Sequence, residues 1–115
     1  MSAWLAGLTA SFRHALRGLA VSLRGQRNLR IHALATVVVI TLGLIWNLPL
    51  WKWVALWLTL GLVWCAELLN TAIEGLCDLV QPERDERVRR IKDIAAGAVL
   101  VAAIATAVAG MLIFL

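Results

Sequence analysis

Twenty-two consecutive residues, Ile94–Leu115, carry no ionisable side chain. A helix needs about 20 apolar residues to cross the hydrocarbon core of a bilayer. This one run therefore makes lipid, not water, the solvent for part of the chain. Ala33–Leu50 is uncharged as well, and Trp51–Ala66 is interrupted only by Lys52. Hydrophobic residues make up 62% of the 115, against roughly half in soluble domains. The pattern predicts one all-α domain, 1–115, integral to a membrane. Its segments are an N-terminal amphipathic surface helix with a joint (1–28) and three spans (29–48, 50–80 and 84–115).

The formal charge of +4 invites a nucleic-acid reading, but its distribution favours phospholipid. Arg13, Arg17, Arg24, Arg27 and Arg30 precede the first span, and Arg84, Arg87, Arg89, Arg90 and Lys92 separate the second from the third. Between the first and second spans only Lys52 is charged. Cationic loops remain on the cytoplasmic side. The N-terminus and the 81–92 loop are thus expected inside, and the 46–53 turn outside, in a bacterial inner membrane. No cleavable signal peptide is expected, because the first apolar run begins well inside the chain.

Trp4, Leu5, Leu8, Phe12, Leu16 and Leu19 recur at helical spacing, with arginines on another face, as in a helix lying in the interface. Gln26–Arg30 reads as a short polar joint. Asn47-Leu48-Pro49 breaks the next helix, and Trp46, Trp51 and Trp53 fit an aromatic belt. The following helix ends before Pro82 and is too long for the bilayer. Cys65 and Cys77 lie on it about 18 Å apart, too far to pair, and read as buried thiols. His14 and His32 lack a second histidine at ligand spacing and read as interfacial residues.

The residues that need a reason are Glu67, Asn70, Glu74 and Asp78. Their spacing of three, four and four puts them on one side of an apolar helix. A carboxylate facing lipid near the bilayer centre costs about 3 kcal/mol on the most lenient scale, so the stripe predicts a protein- or water-lined site. Counted from Trp51, Glu67 lies about 24 Å along the helix, near the inner edge of the core, and Glu74 about 10 Å further. A structural alternative has the acids pairing with the loop arginines. A proton or ion relay is another, although it would place its acids nearer the midplane. The sequence has no Gly-rich phosphate loop ending in Gly-Lys-Ser/Thr and no protein-kinase signature.

Glu67-Leu68-Leu69-Asn70-Thr71-Ala72-Ile73-Glu74, followed by Asp78, resembles the signature of the bacterial diacylglycerol kinase/undecaprenol kinase family. Ser11–Leu19 resembles that family's N-terminal helix, and Lys92–Val99 the start of its third span. Arg27-Asn28-Leu29-Arg30-Ile31-His32 is closer to the undecaprenol kinase branch. The resemblance covers nearly the whole chain. It implies a homotrimer with shared active sites, ATP as co-substrate, Mg²⁺, and a membrane lipid alcohol as acceptor. That acceptor would be undecaprenol first, with diacylglycerol as the alternative. Glu67 would be the general base, with Asn70 beside it. Glu74 would bind the metal. His14, Gln26, Glu74, Glu83, Arg84, Asp85, Lys92 and Asp93 would contact nucleotide. Ser11, Phe12, Ala15, Gly18 and Glu67 would contact lipid. Gln26 departs from the pattern: the family has a metal-binding Glu there, and Gln offers an oxygen without charge. A catalytically weakened membrane oligomer is the alternative class that this departure raises.

Overall fold

The computed structural model describes residues 2–115 as four helices: α1 (Ala3–Gly25), α2 (Arg27–Trp46), α3 (Leu50–Val80) and α4 (Glu86–Phe114). There is no strand among the described residues. α2, α3 and α4 are each long and apolar enough to cross a membrane.

The helix ends follow from local chemistry. Ser2 Oγ accepts the Leu5 N–H at 3.2 Å and so satisfies one of the donors a helix start leaves open. α1 stops at Gln26, whose extended backbone (φ −119°, ψ 112°) is the only break before α2. The joint is thus one residue, not the five expected. Arg30, in the first turn of α2, folds back and donates Nη1–H to the Leu23 and Arg24 carbonyls at 3.1 and 2.8 Å. A side chain satisfies the open carbonyls of α1, so no irregular segment is needed.

α2 ends at Trp46, short of the expected 48. Asn47 turns left-handed (φ 57°), and its N–H points back at Gly43 and Leu44. Asparagine tolerates that conformation better than most residues. α3 starts after Pro49, which accepts the Lys52 and Trp53 N–H groups. Its 31 residues make a rod of about 46 Å against a hydrocarbon core about 30 Å thick. α4 begins at Glu86, not near 84, because Asp85 serves as its N-cap.

α3 and α4 pack antiparallel, α2 lies against α3, and α1 touches the bundle more lightly. Leu19, Ala20, Ser22 and Leu23 of α1 are half-buried, whereas most residues before them are exposed. The apolar core of Leu56, Leu60 and Ile113, flanked by Trp53 and Phe114, sits at the end of the bundle that carries the α2–α3 turn. There Lys52 Nζ donates to the Ile113 carbonyl at 2.7 Å and closes the last turn of α4. Trp46 meets Phe114 edge-on at 6.1 Å. Trp53 differs from the belt expectation: it is half-buried against Gly43, where a side chain would collide with its ring. Cys65 is exposed and only Cys77 is buried, which corrects the expectation of two buried thiols.

The chain folds flat, 50 × 47 × 21 Å, with a radius of gyration of 17.3 Å. A compact chain of this length has about 13 Å. Its large apolar side chains mostly point outward, as suits a protein whose solvent is lipid or further protein.

Candidate active site

Along α3 the face that begins with the buried Leu56, Leu60 and Val63 reaches Glu67 in the next turn. The same side continues into Glu74 and Asp78, so the apolar core gives way to carboxylates as α3 approaches the α3–α4 loop. Glu67 is only 4% exposed. A buried carboxylate needs hydrogen-bond partners, and it finds one in His32 of α2, Nε2 to Oε1 at 3.2 Å. His32 is therefore not the plain interfacial residue that its spacing implied. One turn further along the same seam, Trp64 Nε1 donates to Thr36 Oγ1 at 2.9 Å. Thr36 Oγ1 in turn donates to the His32 carbonyl at 2.7 Å.

Asn70 turns towards α4. It lines an apolar groove of about 490 Å³ with Leu69, Ile73, Ala98 and Ala102. Its Oδ1 is buried without a hydrogen-bond partner, although buried polar atoms nearly always have one. That oxygen is an unsatisfied acceptor sealed in the wall of the groove. The small side chains of Ala95 and Ala102, both buried, let α4 approach this closely.

Beyond Glu74, Lys92 Nζ lies 2.7 Å from Asp78 Oδ1. Both residues line a second, polar concavity of about 500 Å³ at the α3–α4 loop, together with Glu83, Arg84, Asp85 and Arg89. Asp85 holds α4 in place: Oδ1 accepts the Arg87 N–H at 2.8 Å and Oδ2 accepts its guanidinium at 2.8 Å. The Arg87 side chain, then its backbone N–H, hold the Asp85 carboxyl well below the usual carboxylate range.

The structure gathers the candidate residues unequally. Glu83, Arg84, Asp85 and Lys92 surround one concavity, whereas Asp93 is exposed and does not line it. Ser11, Phe12, His14, Ala15 and Gly18 are exposed on α1. Gln26 is half-buried at the joint. No three His, Cys, Asp or Glu residues converge on one metal position among the described residues. Sequence reasoning missed the contact of His32 with Glu67 and that of Lys92 with Asp78. Only the facing of α2 and α4 onto α3 brings these pairs together.

A family model described as prokaryotic diacylglycerol kinase matches residues 13–114. The chain is 40% identical over 105 residues to an undecaprenol kinase of Bacillus subtilis (strain 168), covering 91% of this chain and 85% of that protein. It is 43% identical over 104 residues to a diacylglycerol kinase of Synechocystis sp. (strain ATCC 27184 / PCC 6803 / Kazusa), covering 90% of this chain but 59% of that protein. The match over almost the whole chain shows that it belongs to the prokaryotic diacylglycerol kinase family, and it is a lipid kinase.

Proposed function

We propose that the chain transfers the γ-phosphoryl group of ATP to the hydroxyl of a membrane alcohol, at the cytoplasmic face of a bacterial inner membrane. The observation that carries this is Glu67, a buried carboxylate at the point where the core of α3 turns acidic, with Asn70 and the apolar groove one turn away. In this reading the lipid chain occupies the groove and its hydroxyl lies between Glu67 and Asn70. Glu67 takes the hydroxyl proton and the lipid oxygen attacks the γ-phosphorus. The bond from that phosphorus to the bridging oxygen breaks, and ADP leaves. Phosphoryl transfer asks mainly for positioning and charge neutralisation. Lys92 and Arg84 bring cations to the loop concavity, where Glu83 and Asp85 complete the lining. Asp93 and His14 belong to the same proposed nucleotide set.

Magnesium at a nucleotide site takes one or two protein carboxylates, and phosphate oxygens supply other ligands. Glu74 is half-buried and about 10 Å along α3 from Glu67. It fits that requirement, whereas Gln26 offers only a neutral oxygen. The donor set suits an ion that arrives with nucleotide, not one caged by protein. When bound, the ion neutralises phosphate charge.

The flat protomer and the exposed residues Ser11 to Gly18 support a homotrimer in which α1 of a neighbouring copy completes each site. The proposed acceptor is a long polyprenol such as undecaprenol, with diacylglycerol second. The Arg27–His32 segment supports that order, and the relatives of similar identity bear one name of each kind. An apolar groove separates such lipids by only about 1–3 kcal/mol, so some cross-reactivity is expected.

Labelled ATP and both lipids in the same mixed micelles test the proposal. The expected result is transfer to both, with the larger kcat/KM for the polyprenol. A preference for diacylglycerol overturns the acceptor, and transfer to neither overturns the reading. Glu67→Gln should lose about 10²–10⁴ in turnover, and near-normal rates in that variant would remove Glu67 as the base.

A further inference from the structure

His32 stands in the second turn of α2, and its ring meets Glu67 across the α2–α3 seam. Its side chain is 24% exposed and that of Glu67 is 5% exposed, so water reaches the imidazole far better than the carboxylate. A carboxylate that acts as a base must be ionised. Out of water it keeps that charge only where a donor replaces its lost hydration. Among the described residues, His32 is the one side chain in hydrogen-bond contact with a carboxylate oxygen of Glu67. The hydroxyl of Thr71 reaches only its main-chain carbonyl.

The turn that carries the ring is held in place. The Trp64–Thr36 contact and the Thr36 bond to the His32 carbonyl fix the backbone of this turn against α3. The contact uses Oε1 of Glu67. The second oxygen, Oε2, makes no hydrogen bond among the described residues, yet it is not among their sealed, unpartnered atoms. One oxygen is anchored and the other stays open.

We propose that His32 is a positioning residue for phosphoryl transfer: it donates Nε2–H to Oε1 of Glu67, which anchors that oxygen and aims Oε2 at the lipid hydroxyl. The proposal rests on the reading of Glu67 as the base. In the reaction the alcohol proton passes to Oε2, while His32 keeps its own proton and touches neither substrate. A histidine that merely braced α2 against α3 would instead affect stability and both substrates' binding, and any side chain of similar bulk would replace it.

The experiment compares His32→Leu, which removes the donor, with His32→Gln, whose amide nitrogen takes a place similar to Nε2. Each is made with and without Glu67→Gln, and kcat and both KM values are measured in the same micelles. His32→Leu should lower kcat about 10- to 100-fold, as expected for losing one hydrogen bond to a charge or misplacing a reacting group. KM for ATP and for lipid should stay within about twofold of wild type, because ground-state binding is untouched. His32→Gln should recover most of the rate. On the Glu67→Gln background, His32→Leu should cost nothing further, because the group it positions is gone.

Wild-type kcat in His32→Leu would overturn the proposal, as would an equal additional loss on the Glu67→Gln background. An inactive Glu67→Gln beside a fully active His32→Leu removes this inference and leaves the base assignment standing. A fully active Glu67→Gln removes both. Should His32→Leu fail to fold, His32→Asn, whose shorter amide stops short of Glu67, takes its place against His32→Gln with the same outcomes.

Discussion

Lys92 of α4 closes on Asp78 of α3 at 2.7 Å, joining the two helices at the mouth of the loop concavity. Their side chains are 34% and 64% exposed. Pairs of this kind contribute only about 0–1 kcal/mol, so Asp78 holds Lys92 loosely and a phosphate can take its place. Lys92→Met should raise the KM for ATP about 10- to 100-fold, the value of one charged hydrogen bond. Asp78→Asn should change thermal stability by no more than about 1 kcal/mol. ATP titrations and melting curves in one detergent check both. An unchanged KM in Lys92→Met would remove it from the nucleotide set.

The metal site gives a second prediction. Gln26→Glu places a carboxylate at the α1–α2 joint and should lower the magnesium concentration needed for half-maximal activity. Glu74→Gln should abolish nearly all turnover at any magnesium concentration. Magnesium titrations of the three proteins decide the matter. Unchanged dependence in Gln26→Glu means that another group already supplies the charge.

Gly43 admits the ring of Trp53. A Cβ there would lie 2.8 Å from Cη2 and 3.1 Å from Cζ2 of that ring, and 3.1 Å from Cδ1 of Leu48. The indole is rigid, so Gly43→Ala should destabilise the turn end of the bundle by about 1–3 kcal/mol, as overpacking does. A lower melting temperature and an altered near-ultraviolet tryptophan signal are expected. Activity at low temperature should survive, since the collision is remote from Glu67 along α3.

The cap of α4 should be acid-sensitive. The folded Asp85 carboxyl gives up its proton more readily than the unfolded one, because Arg87 donates to it from side chain and backbone. Its stabilisation is therefore complete above the unfolded value of about 3.9 and is lost as pH falls below that. Protection of the Arg87 and Val88 amides, taken relative to the intrinsic exchange rate at each pH, should fall on acidification in the native chain. In Asp85→Asn, which keeps an acceptor but does not titrate, the pH dependence should flatten. In Asp85→Ala protection should be low throughout.

Local signals in the sequence carried much of the fold. Pro49 and Pro82 bracket α3, and the uncharged run from Ile94 identifies α4 as a span. Glu67, Asn70, Glu74 and Asp78 were visible as a stripe because one helix repeats its face every three to four residues. What the sequence concealed depends on how separate helices face each other. His32 and Glu67 are 35 positions apart, and Lys52 and Ile113 are 61 apart. Neither pairing has a local signature. Asn70 looked equivalent to the acids beside it, yet it turns towards α4 while Glu67 turns towards α2. The polar run from Gln26 to Arg30 suggested a short joint because charge commonly marks a loop. Here Arg30 is spent on the carbonyls of α1, and the helix resumes at once.

That contact makes the bend at Gln26 stiff. α1 has 23 residues and so spans about 34 Å, which makes it a lever and not a tethered float. Its fulcrum is the bend, and the short arm enters the bundle at Leu29, 1% exposed, with His32 less than a turn beyond. A change in the tilt of α1 is therefore delivered at the foot of the α2–α3 seam, where His32 meets Glu67.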